Sequence, residues 1–340
     1  MTTETSAGVA AGDSAVQVAL RELLGDAVVT DPEALQALRA DKSGQLSAGP
    51  PLAVVEARTI DDVQRTLRFA TEHRIPVVPR GAGTGLAGAA TAGPGELVLS
   101  TLQMNRVLEV SKDDELAVVE PGLINADLNA HLKPMGLWYA PDPASRAIST
   151  IGGNIATNAG GLLCVKYGVT REAVLGLKVV LADGRLLSLG HRTVKGVTGY
   201  DLTALMVGSE GTLGVIVEAT LRLRQLPTGP VATLSASFAS VEQAARAASV
   251  MVSSGIRPAI MELLDATALD GIGAYLNIDL GGRGAQLIVQ TDGSGAEKEA
   301  ADAAAVMRSL GGEVELTLDP EEGERLFAIR RQFHPAMEQR

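Results

Sequence analysis

The sequence predicts an α+β fold in two domains, and three observations carry that reading. GLKVVLADGRLLSLG (176–190) is two apolar strands joined by Asp183-Gly184, a strong hairpin signal, and such hairpins are mixed with amphipathic helices. LPTGP (226–230) reads as a linker. Beyond it, glycine-dense loops give way to a regular alternation of strands and helices, a smaller ferredoxin-like sandwich starting near 231. The expected boundaries are a flexible tail over 1–12, a first domain over 13–226 and a second over 231–340.

The elements follow from local pattern. Helices are expected at 14–24 and 32–40, the second opened by Asp31-Pro32 in N-cap and N1 positions. LAVVEA (52–57) is a buried strand, and 59–74 an amphipathic helix with Val63, Leu67 and Ala70 inward. Strands follow at 76–79, 96–100, 106–110 and 116–121, with a helix near 123–133. After the linker come VATLSASF as strand, SVEQAARAASVMVSSG as helix and PAIMELLD as a strand or helix start. AQLIVQTDG, AEKEAADAAAVMRSLGG and EVELTL then read as strand, helix and strand. The last helix opens with Asp319 and Pro320, and Leu326, Ile329, Phe333 and Met337 mark its buried face. It reaches Arg340 with no glycine stop, so the second domain is expected to be incomplete.

Composition narrows the function classes. Aromatics make up only 3% of the 340 residues, so the core must be built from Val, Leu, Ile and Ala. Acidic residues outnumber basic ones 40 to 29, and no Lys/Arg run forms a basic patch, which argues against nucleic acid as a partner. Cys164 is the only cysteine, so no intrachain disulfide or thiolate cluster forms, as in a reducing cytoplasm. MTTETSAGVAAG lacks the basic n-region of a secretory signal. Residues 81–95 are uncharged, but Gly, Ala and Thr punctuated by Pro94 make a loop and not a membrane span.

That loop carries the first functional signal. In PRGAGTGLAGAA (79–90), Gly83, Gly85 and Gly88 spell G-x-G-x-x-G. The dinucleotide fingerprint also requires a helix at its third glycine and an acid about 20 residues on. Here Gly93-Pro94-Gly95 forbids the helix, and Glu109 lies too far along, so NAD binding is disfavoured. The density of Gly81, Gly83, Gly85 and Gly88 instead suggests backbone amides brought close to an anionic group such as a pyrophosphate. PDPASRAISTIGGNIATNAGG (141–161) and TGYDLTALMVGSEGTLGVI (198–216) repeat the theme with small, hydrogen-bonding side chains. Three such segments suit one long ligand touched in three places.

PRGAGTGLAG, PDPAS, IGGNIATNAGG, CVKYG and GSEGTLGVI, in this order and spacing, resemble the FAD-linked oxidases of the vanillyl-alcohol oxidase superfamily. The likeness runs over roughly residues 20–340, and its nearest branch holds the FAD-linked subunit of glycolate oxidase and the D-lactate dehydrogenases. The resemblance implies an FAD-binding domain of two α+β subdomains (PCMH-type), followed by a cap domain. Carried over by position, Arg80, Gly81, Ala82, Gly83, Thr84, Gly85 and Gly88 would wrap the pyrophosphate. Pro141, Asp142 and Ser145 would lie along the cofactor, and Thr150, Gly152, Gly153, Asn154, Thr157 and Asn158 would contact the flavin and its ribityl or phosphate groups. Glu210, Gly211, Gly214 and Ile216 would face the adenosine half. Some relatives link flavin to a histidine in the first loop; Gly81-Ala82-Gly83 stands there, so FAD is expected to be non-covalent.

The implied reaction oxidises a D-2-hydroxy acid to a 2-oxo acid, with hydride passing to the flavin and a base taking the hydroxyl proton. Arg330 would hold the substrate carboxylate, with Arg331 as the neighbour that could substitute. Relatives continue into a GDGN-containing, His-rich segment that carries the base and, in some, a divalent metal; the base is therefore expected beyond Arg340. His73, His131, His191 and His334 lack metal-ligand spacing, so no metal site is expected, and His334 is a poor base candidate. Cys164 reads as a packed thiol, and Trp138 and Tyr139 as core residues, with a place lining the flavin as the alternative. The implied partners are a small 2-hydroxy acid, an unidentified electron acceptor, and a partner subunit or second copy. The alternative is a non-catalytic FAD-binding subunit or a truncated paralogue without the base.

Overall fold

The computed structural model describes residues 4–193, 195–280 and 284–338. The chain divides into two units, one formed by Met1–Gly160 and Val169–Gln225, the other by Gly161–Gly168 and Leu226–Arg340. The short excursion at 161–168 has no counterpart in the boundaries the sequence suggested.

The first unit holds two sheets. Four strands lie in the order Val28–Val29, Ala53–Glu56, Leu97–Ser100, Val77–Arg80, and the last three run parallel. The Ile60–His73 helix connects two of the parallel strands, Ala53–Glu56 and Val77–Arg80. Thr59 and Asp62 form a reciprocal capping box at its start, and Val63, Leu67 and Ala70 are buried as their spacing predicts. The second sheet is antiparallel, in the order Val107–Ser111, Leu116–Val119, Val215–Arg222, Val174–Val180, Leu186–Gly190. Its last pair is the expected hairpin, and Gly184 takes the left-handed conformation (φ +80°) that the turn requires. Aliphatic clusters fill both subdomains, with Tyr139 buried in the second and its hydroxyl pushed well above the ordinary tyrosine range by burial.

Two local expectations change. The first helix is Glu4–Leu24, so the tail expected over 1–12 is helical from Glu4, and residues 1–3 lie outside the described residues. The 32–40 helix is shorter, Pro32–Gln36 followed by a 3-10 turn at Ala37–Arg39, although Asp31 caps it as expected by accepting from the Ala34 amide.

The second unit is ferredoxin-like. Its antiparallel sheet runs Ile260–Asp265, Ala285–Asp292, Val231–Phe238, Glu313–Thr317. Leu234, Ala236, Leu287 and Val289 face Ala244, Ala247, Ala300 and Ala303 of the Val241–Ser253 and Ala296–Ser309 helices. The opposite face carries Ile260 and Ile288, packed with Phe327. A helix at Ala266–Leu276, capped by Asp265, was not legible because Gly271 and Gly273 lower its propensity. The expected single last helix is broken at Gln332 into Pro320–Arg331 and Phe333–Glu338. Consequently Leu326 and Phe327 are buried, whereas Ile329, Phe333 and Met337 pack more loosely on a second small cluster. Among the described residues, no helix is long and apolar enough to cross a membrane.

Candidate cofactor site

The three glycine segments converge within the first unit. A Cβ placed on Gly81 would strike Thr150 Oγ1, so the first loop lies directly on the second segment. Gly208 and Glu210 donate their amides to Ile155 and Ala156 carbonyls at 3.0 and 2.8 Å, which joins the second segment to the third. A Cβ on Gly211 would sit 3.0 Å from Pro79, which closes the third segment back onto the first. Two non-glycine residues in the left-handed region, Asn158 (φ +48°) and Glu210 (φ +52°), mark the seam between segments two and three. Such conformations cost of order 1 kcal/mol or more each and persist where surrounding structure enforces them.

The first loop is built on a half-buried charge. Arg80 ends its parallel strand and turns its guanidinium back to the carbonyls of Ala40, at 3.0 Å, and Ala90. Asp41 accepts from the Ala90 amide at 3.3 Å, so Ala90 is held through both its amide and its carbonyl. Burial lowers the basicity of Arg80, partly offset by the Asp41 charge. Burial alone would raise the Asp41 carboxyl, but bonds from Ser43 and Ala90, with the Arg80 charge, hold it below its ordinary range. Neither Asp41 nor the side-chain role of Arg80 was legible, since the two are far apart in sequence and only the fold brings both to Ala90.

Between these anchors, the amides of residues 81–89 donate to no protein acceptor among the described residues. The loop carries no acidic side chain, and Gly83 (φ +67°) and Gly88 (φ +86°) take the left-handed conformation that other residues rarely adopt. A Cβ on Gly85 would meet nothing within 4 Å. Consecutive unpartnered donors beside a half-buried guanidinium suit an anionic, phosphate-bearing group, and the residues present fit one.

The second segment is different. The short Ile151–Ala156 helix opens at Thr150, whose hydroxyl accepts from the Gly153 amide at 3.1 Å. Ile151 and Gly152 donate to the Leu123 and Pro121 carbonyls at 2.8 and 2.7 Å, so its first-turn amides are already used. Asn154 donates to Ser149 Oγ at 3.0 Å and accepts from Asn125 Nδ2 at 3.2 Å, and Asn125 also reaches the Pro141 carbonyl. Asn125 is fully buried, with its own Oδ1 unpartnered; sequence reasoning missed it because it lies outside the glycine segments. Asn158 Oδ1 accepts from the Arg171 amide, and the Thr157 hydroxyl bonds the Gly153 carbonyl. Asp142 and Ser145 remain half-exposed on the loop leading in.

In the third segment, a Cβ on Gly214 would lie 2.6 Å from Val179, so that glycine is required by sheet packing, and the Ile216 side chain is in the core. Cys164 Sγ accepts from the Gly161 amide at 2.9 Å, consistent with a packed thiol. His73 stacks on Phe69 with ring centroids 4.0 Å apart, and His131 and His191 are exposed. The His334 side chain lies outside the described residues. No three metal-ligating side chains converge among the described residues.

Residues 51–190 match the profile of an FAD binding domain, and residues 230–340 match the C-terminal domain of FAD linked oxidases. The chain belongs to the FAD-linked oxidases. FAD is its cofactor, in keeping with the donor set of the first loop. Glycolate oxidase subunit GlcD of Bacillus subtilis is 44% identical over 244 residues, 72% of this chain and 52% of the relative. A D-2-hydroxyglutarate dehydrogenase of Stutzerimonas stutzeri is 45% identical over 201 residues, 59% of this chain and 43% of the relative. GlcD of Escherichia coli is 37% identical over 295 residues, 84% of this chain and 58% of the relative. The chain thus spans about half the length of the curated relatives it matches. Among solved structures, p-cresol methylhydroxylase superposes with TM-score 0.79 at 18% identity, over 95% of this chain and 69% of that one. An alkyldihydroxyacetonephosphate synthase gives 0.77 at 20% identity, over 94% and 63%. These two establish the PCMH-type fold of this FAD-linked oxidase.

In the second unit, Arg330 is one-fifth exposed and donates through Nε to Glu262 at 2.6 Å. Arg331, its neighbour, is more than half exposed and pairs with Glu324. Of the two, Arg330 is the one held in a shielded setting.

Proposed function

We propose that this FAD-linked oxidase oxidises a small D-2-hydroxy acid to the corresponding 2-oxo acid. The observation that carries the reading is the run of unpartnered amides at 81–89, inside a matched FAD binding domain and closed by two further glycine segments. Relatives named for glycolate, D-2-hydroxyglutarate and D-lactate support the substrate class.

On this reading, the backbone of 80–85 and Gly88 wraps the pyrophosphate, with the donors supplied by the unpartnered amides from Gly81 onward, each bond to a charged oxygen contributing about 1.5–3 kcal/mol. The Arg80 and Asp41 side chains, which both hold Ala90, fix the loop from behind. Pro141, Asp142 and Ser145 line the cofactor, and Thr150 with Gly152, Gly153, Asn154, Thr157 and Asn158 forms the floor beneath it. Glu210 and Gly211 meet the adenosine half, with Gly214 and Ile216 anchoring that segment to the sheet. FAD is held without a covalent link, and when bound it supplies a two-electron acceptor for hydride from the substrate Cα. Arg330 grips the substrate carboxylate, and its planar fork fixes which face of the hydroxyl-bearing carbon is presented. The electrons leave to a separate acceptor in a reducing cytoplasm.

Purification tests this directly. The chain should carry flavin absorbance or gain it, with a raised melting temperature, on addition of FAD. Anaerobic D-lactate, glycolate or D-2-hydroxyglutarate should then bleach the flavin band. A chain that neither shows flavin absorbance nor is stabilised by FAD contradicts the reading. Flavin that binds but bleaches with none of the three acids leaves an FAD-binding protein without this oxidation.

A further inference from the structure

We infer that Glu262 is a positioning residue that aims Arg330 at the substrate carboxylate; this rests on the 2-hydroxy-acid reading above. Glu262 lies on the edge strand Ile260–Asp265, in alternation with Ile260 and Leu264, both buried in apolar clusters. Its carboxylate therefore sits on a strip that packing alone would fill with another aliphatic side chain. The only ion pair it makes among the described residues is with Arg330, and both side chains are about one-quarter exposed or less (24% and 21%). Pairs this shielded are often replaceable by apolar residues without loss of stability, so stability is a poor reason for one here.

The geometry supplies a better reason. Glu262 is approached through Arg330 Nε, along one side of the guanidinium, and the Phe333 ring lies 5.6 Å from Cζ. One contact fixes the rotation of the planar group, and the aromatic neighbour flanks it. The terminal Nη1 and Nη2 pair makes no hydrogen bond to protein among the described residues, and two parallel N–H donors are the arrangement that grips a carboxylate bidentately. Arg331 shows the contrast: its Nη2 is engaged by Glu324 on the same helix, so the terminal edge is already taken. Glu262 thus occupies the side of Arg330 that a substrate does not need and leaves the end that it does.

Two opposed effects make the proposal testable. Removing the acceptor frees Arg330 to swing and weakens carboxylate binding. Keeping the acceptor but removing its charge preserves the aim and lifts a competing negative charge. The full FAD-loaded chain is titrated with oxalate, a non-oxidisable dicarboxylate, by calorimetry, with FAD affinity and melting temperature followed in parallel. Glu262→Leu should raise the oxalate Kd at least tenfold with FAD affinity unchanged. Glu262→Gln should restore binding to the wild-type value or up to about fivefold tighter. Arg330→Ala should abolish binding in either background. If Arg330 is required but Glu262→Leu binds as the wild type does, the positioning role is wrong. It is equally wrong if Glu262→Gln is as weak as Glu262→Leu. Should Glu262→Leu not fold, the Gln variant decides alone: a tenfold loss overturns the proposal, and wild-type or tighter binding supports it. If the wild-type chain binds no oxalate, or Arg330→Ala binds it normally, the carboxylate reading itself falls and takes this proposal with it.

Discussion

The loop at 81–90 and the segment at 149–158 look alike in sequence and differ in structure. Both are rich in glycine, small hydroxyls or amides, and both lie at the same convergence. In the first, the amides of 81–89 have no protein acceptor among the described residues; in the second, Ile151, Gly152 and Gly153 all donate to protein oxygens. Glycine serves different ends accordingly. Gly85 opens onto free space, whereas a Cβ on Gly152 would lie 2.6 Å from Pro121. Glycine density marks close approach of backbone, and only the hydrogen-bond inventory says whether the neighbour is a ligand or the protein itself.

Substitutions can break this contrast. Gly83→Val should have the largest effect, because it forces a β-branched residue into φ +67° and drives its Cβ into the Arg80 guanidinium. A loss of FAD affinity of roughly 100-fold or more, about 2.7 kcal/mol, is expected by absorbance titration. Gly152→Val should instead destabilise the apo chain by about 1–3 kcal/mol through overpacking, read as a lower denaturation midpoint without FAD. Asn154→Ala removes the partner of Asn125 and Ser149, and should likewise lower apo stability by about 1–3 kcal/mol for the buried groups left unsatisfied.

Gly85→Val separates ligand binding from folding. Its φ lies outside the left-handed region and its Cβ has room, so apo stability should stay within about 0.5 kcal/mol. FAD affinity should nonetheless fall about tenfold, near 1.4 kcal/mol, because the added side chain occupies the space the ligand needs. His73→Ala is the smallest change: it removes a ring stacked on Phe69 and should leave FAD affinity unaltered in the same titration.

The legible parts were those in which one residue type serves one local purpose. Asp183-Gly184 gave the hairpin, Asp319-Pro320 the last helix start, and apolar alternation the strands of the ferredoxin-like unit. The three glycine segments were legible as a group, but not which of them kept its donors. Thr150, Asn154 and Asn158 read as ligand-facing, yet their side chains bond Gly153, Ser149 with Asn125, and Arg171. Those partners are set by tertiary approach, which local pattern does not encode. Gly122 makes the same point from the other side: it belongs to none of the three segments, yet a Cβ there would be pressed against the Thr101, Leu102 and Met104 carbonyls. Asp41, Asn125 and Glu262 are single polar residues without spacing or repetition to flag them, and only the fold brings each to its partner.

On this structure the amides of 81–89 are reserved for the FAD pyrophosphate, whereas those of 151–153 are reserved for the protein. Amide hydrogen exchange of the full chain, with and without FAD, tests it peptide by peptide. Exchange across 81–89 should be fast without FAD and slow by at least tenfold with it, while 151–153 should be protected in both states. Unchanged exchange across 81–89 in a chain that demonstrably binds FAD would contradict the claim.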